Sequence, residues 1–290
     1  MRDQAEKLRM QILESQGALG RSIAVVSGKG GVGKSNFSAN FATLLAKAGK
    51  RVAILDMDIG MGNIHILIGK SVQASLTDYL HGELSLNDVM YEGPSGLQYI
   101  AGGSGMTSLV EWSSDMFEKL IIAFEQLQKQ FDYIVFDMGA GATSWSLELL
   151  VSVDDIIVIS TAEPTSIMDA YSMMKYIHFK DTEKEYYLLC NRTFNREEGD
   201  ETLQRLQSAM KRFLHKDVHK LGSLPEDAVV RKAVREQVPF SILEPNAPIS
   251  KTMRNIVLRF INQSSNEVQA EIAKKGFITK LRSIFAKGRD

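Results

Sequence analysis

The run Gly28-Lys29-Gly30-Gly31-Val32-Gly33-Lys34-Ser35 constrains this chain more than any other stretch. An apolar segment, Ile23-Ala24-Val25-Val26, leads into it, and a helix-forming segment from Phe37 to Ala46 follows. The run fits G-x-x-x-x-G-K-[ST] without a mismatch, in the strand, loop and helix context that a phosphate-binding loop needs. The glycines have a physical reason: backbone N–H groups must converge on phosphate oxygens, and side chains would obstruct them. Lys34 can reach the β- and γ-phosphates of a nucleotide, Ser35 can offer its hydroxyl to Mg²⁺, and the helix N-terminus favours the anion.

Two further strands end in carboxylates. Arg51-Val52-Ala53-Ile54-Leu55-Asp56 is apolar up to its acidic end, with Asp58 two residues on, and Phe131-Asp132-Tyr133-Ile134-Val135-Phe136-Asp137 has the same form. Carboxylates at the carboxyl ends of parallel strands face the ligand crevice of an open α/β sheet. Asp137 fits the Walker B position, which holds Mg²⁺ through water. No N-K-x-D element selects guanine, so the nucleotide pair expected is ATP/ADP with Mg²⁺. The predicted fold is α/β, three layers around a mostly parallel P-loop NTPase sheet. At 290 residues the chain can bury one large core, and a net charge of −1 gives no global nucleic-acid footprint. The single cysteine, Cys190, lies in the apolar run Tyr187 to Cys190 and reads as a buried structural thiol. The N-terminus lacks a signal peptide's apolar core, and no apolar run approaches bilayer thickness. A cytoplasmic protein is expected.

With Lys29 near its front, the loop reads K-G-G-x-G-K-[ST] and resembles the deviant Walker A of the MinD/ParA class of ATPases. The resemblance implies that Lys29 crosses an ATP-dependent homodimer interface and acts on the partner's nucleotide. It also implies roles elsewhere. Asp56-x-Asp58 is similar to the family's switch I, with Asp58 orienting the attacking water and Asp56 supporting the metal shell. His65 stands where MinD proteins commonly have Asp. Met138-Gly139-Ala140-Gly141 resembles switch II, where a glycine amide, Gly139 or Gly141, senses the γ-phosphate. Asn191 occupies the position of an adenine-binding Asn, and Gly222-Ser223-Leu224-Pro225-Glu226-Asp227 resembles the loop that edges the base, so Pro225, Glu226 and Asp227 are expected at the nucleotide.

The chain ends carry a narrower resemblance. Asp3-Gln4-Ala5-Glu6-Lys7-Leu8-Arg9 is similar to the D-Q-A-x-x-L-R element of the flagellar FlhG (YlxH/FleN) branch of the MinD family. In that branch the element binds the SRP-type GTPase FlhF and stimulates its hydrolysis. Asp3, Gln4, Ala5, Leu8 and Arg9 are the implied contacts, with Gln4 acting in trans. From spacing alone this segment is an amphipathic helix that either packs on its own domain or docks on a partner. At the other end Phe277, Ile278, Leu281, Ile284 and Phe285 fall within an arc of about 120° on a helical wheel. Its position resembles a C-terminal membrane-targeting sequence, a helix that lies in the headgroup region of the membrane. The same periodicity also suits a helix packed on the domain.

The expected organisation is therefore a partner-binding segment at 1–20, an ATPase domain at 21–262, and a linker plus membrane-targeting helix at 263–290. The expected function is an ATP-dependent dimerising switch that cycles on and off the inner face of the membrane. Within the FlhG branch it would control flagellar number or placement through FlhF and basal-body or C-ring components. The alternatives are a MinD-type division-site regulator and a ParA-type DNA-partitioning ATPase; nucleic-acid binding is not expected. The glycine cluster at 101–105 lacks a Lys-Ser/Thr ending and reads as a crossover loop, and the segment 72–94 reads as small helices.

Overall fold

The computed structural model describes residues 19–58, 62–103, 113–139, 144–267 and 276–287. Eight strands form one sheet in the order β3-β4-β2-β5-β1-β6-β7-β8. They are β1 Arg21–Val26, β2 Val52–Met57, β3 Met90–Glu92, β4 Gln98–Ile100, β5 Tyr133–Met138, β6 Asp155–Ser160, β7 Glu185–Thr193 and β8 His219–Pro225. All neighbours run parallel except β3, which pairs antiparallel with β4. Strands β2, β5 and β6 are buried along their whole length, as covering layers on both sheet faces require.

The described helices are α1 Lys34–Lys47, α2 Ile64–Leu67, α3 Leu76–His81, α4 Ser114–Gln130, α5 Ser144–Ser152 and α6 Pro164–Lys180. They continue with α7 Arg196–Leu214, α8 Ala228–Glu236, α9 Phe240–Leu243, α10 Pro248–Glu267 and α11 Phe277–Lys287. One core joins the sheet to α3, α4, α5, α6, α7 and α11. The opposite core joins it to α1, α2, α8, α9 and α10. Polar caps begin several helices: Ser113, Asn195 and Asp227 each accept a backbone N–H from the first turn. The three-layer α/β fold expected from the strand and helix pattern is the one observed.

Two expectations need correction. The segment 72–94, read as small helices, also contains β3, a short antiparallel edge strand whose pattern is too brief to register as a strand. The linker expected at 263–266 is instead helical, the last turns of α10. That helix is carried by its buried face of Ile249, Met253, Ile256, Val257 and Phe260.

Helix α11 also belongs to the domain core. Phe277, Ile278 and Leu281 are 0%, 3% and 0% exposed. The Phe277 ring lies 5.5 Å from Phe124 of α4 and 5.7 Å from Phe136 of β5. Arg282 donates to Glu125 of α4 at 2.8 Å. The side chains of Ile284 and Phe285 lie outside the described residues. Of the two readings left by the helical spacing, packing on the domain is the one seen in this conformation.

Candidate nucleotide site

The loop joins the carboxyl end of β1 to α1, in the centre of the sheet. Gly33 caps α1 in the left-handed region, φ 90°, with no side chain bonded to the first helical turn. The orphan N–H groups there are thus available to an anion. Gly33 is also needed for space, since a Cβ would lie 2.4 Å from Nδ2 of Asn191. At Gly28 a Cβ would lie 2.1 Å from the backbone of Asp169 on α6, so the loop starts wedged against that helix.

The carboxylates expected from the strand ends meet beneath the loop. Asp56 and Asp137 face each other as register partners on β2 and β5, and each is 1% exposed. Asp137 accepts from Ser35 Oγ at 2.6 Å, from Ser38 Oγ at 2.7 Å and from Lys34 Nζ at 3.3 Å. Asp56 accepts from the backbone N–H of Asp58 at 3.1 Å and of Ile64 at 3.2 Å, which ties it to switch I. Burial, and secondly the charge of Asp137, push the Asp56 carboxyl up to about 7. Two buried carboxyls with one lysine, bonded to Asp137, are what a divalent cation compensates, and Ser35 stands beside Asp137 with its hydroxyl. The donor set fits Mg²⁺ held with a nucleotide, Ser35 as a direct oxygen and Asp56 and Asp137 as outer support. Bound there, the cation would neutralise charge on the phosphates.

Asp58 is half-buried, and a Cβ built on Gly139 would lie 3.3 Å from its Oδ1. Switch I and switch II therefore touch at the residue expected to orient water. Gly141 lies outside the described residues, as do Asp3, Gln4, Ala5, Leu8 and Arg9. Asn191 Nδ2 donates to the Val32 carbonyl at 2.8 Å, so the expected adenine residue also braces the phosphate loop. Arg192 and Glu226 approach to 3.9 Å, and the Glu226 amide donates to Thr193, which brings the 225–227 turn beside the end of β7. The Cys190 thiol is fully buried, and burial pushes it up to about 11, as a structural thiol requires.

Lys29 points along the surface of its own chain. Its ammonium donates to Glu163 Oε2 at 2.9 Å and to Thr165 at 3.3 Å, at the start of α6. The sequence reading missed Glu163, Thr165 and Ser38. Ser38 was findable, because it lies one turn from Lys34 on α1 and so shares its face. Glu163 and Thr165 lie far along the chain from Lys29, and only the fold brings them together.

A family model described as ParA, the NUBPL iron-transfer P-loop NTPases, matches residues 18–261. The chain belongs to the ParA family. As a ParA-family protein it is a P-loop ATPase, and its likeness to the flagellar FlhG (YlxH/FleN) branch extends well beyond the terminal motif. The antiactivator FleN of Pseudomonas aeruginosa is 35% identical over 215 residues, 74% of this chain and 77% of that protein. The flagellum site-determining protein YlxH of Helicobacter pylori is 32% identical over 264 residues, 91% of this chain and 87% of that protein. Among solved structures, the Pyrococcus furiosus cell division ATPase MinD superposes with a TM-score of 0.69 at 22% identity, covering 84% of this chain and 99% of that one. Pyrococcus horikoshii MinD, solved with Mg-ADP, gives 0.68 at 24% identity, covering 84% of this chain and 97% of that one. These two likenesses bear on the fold.

The Asp56 environment gives a pH prediction for the metal-free, nucleotide-free protein. Its folded pKa lies above the unfolded value, so the folded state holds the proton more tightly. That contribution to stability is complete below about pH 4 and is lost as pH rises through about 7. Melting in EDTA should therefore be lower at pH 8 than at pH 6, by roughly 2–4 °C for about 1 kcal/mol. Asp56→Asn should flatten this dependence. An equally steep dependence in that variant would assign it to another group.

Proposed function

We propose that this chain is an ATP-driven dimerising switch of the flagellar FlhG branch, which controls flagellar number or placement. The observation that carries the switch is Lys29, a second loop lysine resting on exposed Glu163 at the rim of the P-loop. An exposed ion pair of this kind is readily exchanged for a nucleotide phosphate across an interface. The flagellar assignment rests on similarity to proteins named FleN and YlxH. The division-site reading has weaker support, at 26% identity to Bacillus subtilis MinD.

In this reading residues 1–20 engage FlhF, with Gln4 placing a water at the partner's γ-phosphate. Basal-body or C-ring partners would meet a surface such as exposed Tyr176, Phe179 and Phe213 on α6 and α7. FlhF turnover measured with the full chain, with residues 1–20 deleted and with Gln4→Ala tests the first claim. Stimulation of tenfold or more should vanish on deletion and fall severalfold with Gln4→Ala. Undiminished stimulation by the deleted chain would remove the N-terminal assignment.

Membrane attachment follows if ATP releases α11 from α4. Among the described residues no helix is long and apolar enough to cross a membrane, so α11 would lie in the interface. A charge at Phe277 is a poor test, because that side chain is in the core and the fold would suffer too. Glu125→Ala is cleaner, since it removes the acceptor of Arg282 and leaves the helix sequence intact. It should raise nucleotide-free binding to anionic vesicles severalfold in a flotation assay. Unchanged binding would mean that this ion pair does not restrain the helix.

A further inference from the structure

The carboxyl end of β7 is bulged. From Cys190 to Thr193 the strand takes three steps, while its neighbour β8 takes two, from Ser223 to Pro225. The extra residue falls at Asn191 and Arg192, and Arg192 adopts the left-handed backbone, φ 59°. Other described residues that share this sign without being glycine sit at breaks in the chain: His215 and Gln237 close helices, and Ser95 lies in a short turn. Arg192 takes the conformation inside a strand, where an arginine gains nothing locally from it. Bulges re-aim side chains, and backbone strain of this kind collects at binding sites.

Two acidic neighbours show where the bulge sends this side chain. Nε of Arg192 lies 3.9 Å from Oε2 of Glu226, close enough for an ion pair and too far for a hydrogen bond. Glu226 is itself anchored, its N–H donating to the Thr193 carbonyl at 2.9 Å. On the other side stands Glu163, just past the end of β6. Its carboxyl is held below the usual range by the bond from Lys29 and, less strongly, by the charge of Arg192. The guanidinium therefore lies between the 225–227 turn and the rim of the P-loop. The preceding residue, Asn191, is tied to that loop through the Val32 carbonyl at 2.8 Å. The Arg192 side chain is 55% exposed, so its charge is balanced at the edges while its planar face stays open. A flat, weakly hydrated cation of this kind stacks on aromatic rings.

We propose that Arg192 is a base-stacking residue, its guanidinium lying flat on the purine of the bound nucleotide while Glu226 holds its edge. The proposal rests on the reading that puts the base between Asn191 and the 225–227 turn. It does not depend on dimerisation, because all of these groups belong to one chain. Stacking adds contact with the ring face and no hydrogen bond to its rim. Arg192 would thus set how tightly the base is held, and Asn191 which base is chosen.

The probes are ADP and pyrophosphate, which separate the base from the phosphates, each titrated calorimetrically with Mg²⁺ into the full-length chain. The parent chain should bind ADP at least tenfold more tightly than pyrophosphate. Arg192→Gly should weaken ADP by about fivefold or more and leave pyrophosphate within about twofold. Arg192→Lys keeps the charge and loses the planar face, so it should also weaken ADP, by about threefold or more. Glycine takes φ 59° without strain, so Arg192→Gly should melt no lower than the parent chain, and lost affinity will not reflect unfolding. ADP affinity unchanged in Arg192→Gly overturns the proposal. Equal losses for ADP and pyrophosphate overturn it too, by placing the cation on the phosphates. Full ADP affinity in Arg192→Lys would overturn the stacking by reducing Arg192 to a charge. A parent chain that binds pyrophosphate as tightly as ADP would remove the base site itself, and the stacking with it.

Discussion

Lys29→Ala should bind ADP and ATP within a fewfold of the parent chain, form no ATP-dependent dimer, and lose turnover by about 10³-fold or more. The scale is that of a cation supplied in trans to a phosphoryl-transfer site, which contributes roughly 10³–10⁵. Within one chain Lys29 contacts Glu163 and Thr165, not the buried carboxylates. Lys34, 8% exposed and bonded to Asp137, is the lysine built into the chain's own phosphate site. Removing Lys29 therefore takes nothing from the site within one chain. Light scattering with ATP measures the dimer, and phosphate release measures turnover. A normal dimer yield in the variant would reduce Lys29 to a surface residue of an ordinary P-loop. Coupled loss of nucleotide binding would move it into its own chain's site.

The division between Lys29 and Lys34 also shows what the amino-acid order can carry. Gly28 to Ser35, Asp56 and Asp137 were legible because each is read from a contiguous pattern: a strand, its polar end, and the turn that follows. Parallel pairing then forces strand ends together, which is why Asp56 and Asp137 meet as register partners. The partners of Lys29 were not legible, since Glu163 joins it only after β6 has paired with β1. Tyr99 illustrates a different limit. Its place in an apolar strand predicts burial, but nothing local tells whether its hydroxyl is paired. Similarly, β3 is too short for a period to register, and the polar run at 263–266 reads as linker although α10 continues through it. The tail marks the sharpest limit. An apolar arc on a helix records that one face avoids water, and lipid and protein core satisfy it equally.

For that tail the decisive quantity is the stability held by Phe277. Phe277→Ala should destabilise the nucleotide-free chain by about 3–5 kcal/mol, the range for a fully buried phenylalanine whose cavity cannot collapse. Collapse is opposed here by its neighbours: Phe124 and Phe136 already pack on each other, 5.1 Å between ring centroids. Thermal melting should fall by roughly 10 °C. The measured loss is also bounded by a second process. If α11 can leave the domain while the sheet stays folded, no substitution on it can cost more than that local opening. A loss near 4 kcal/mol would therefore set the least free energy that ATP-driven dimerisation and lipid together must supply to release the helix. A ligand can shift such an equilibrium only by its differential affinity for the two states. A loss below about 1 kcal/mol would instead mean that α11 is already open in an appreciable fraction of molecules. Vesicle binding would then need no nucleotide, and the ATP-gated release would be wrong even with Lys29 acting as described.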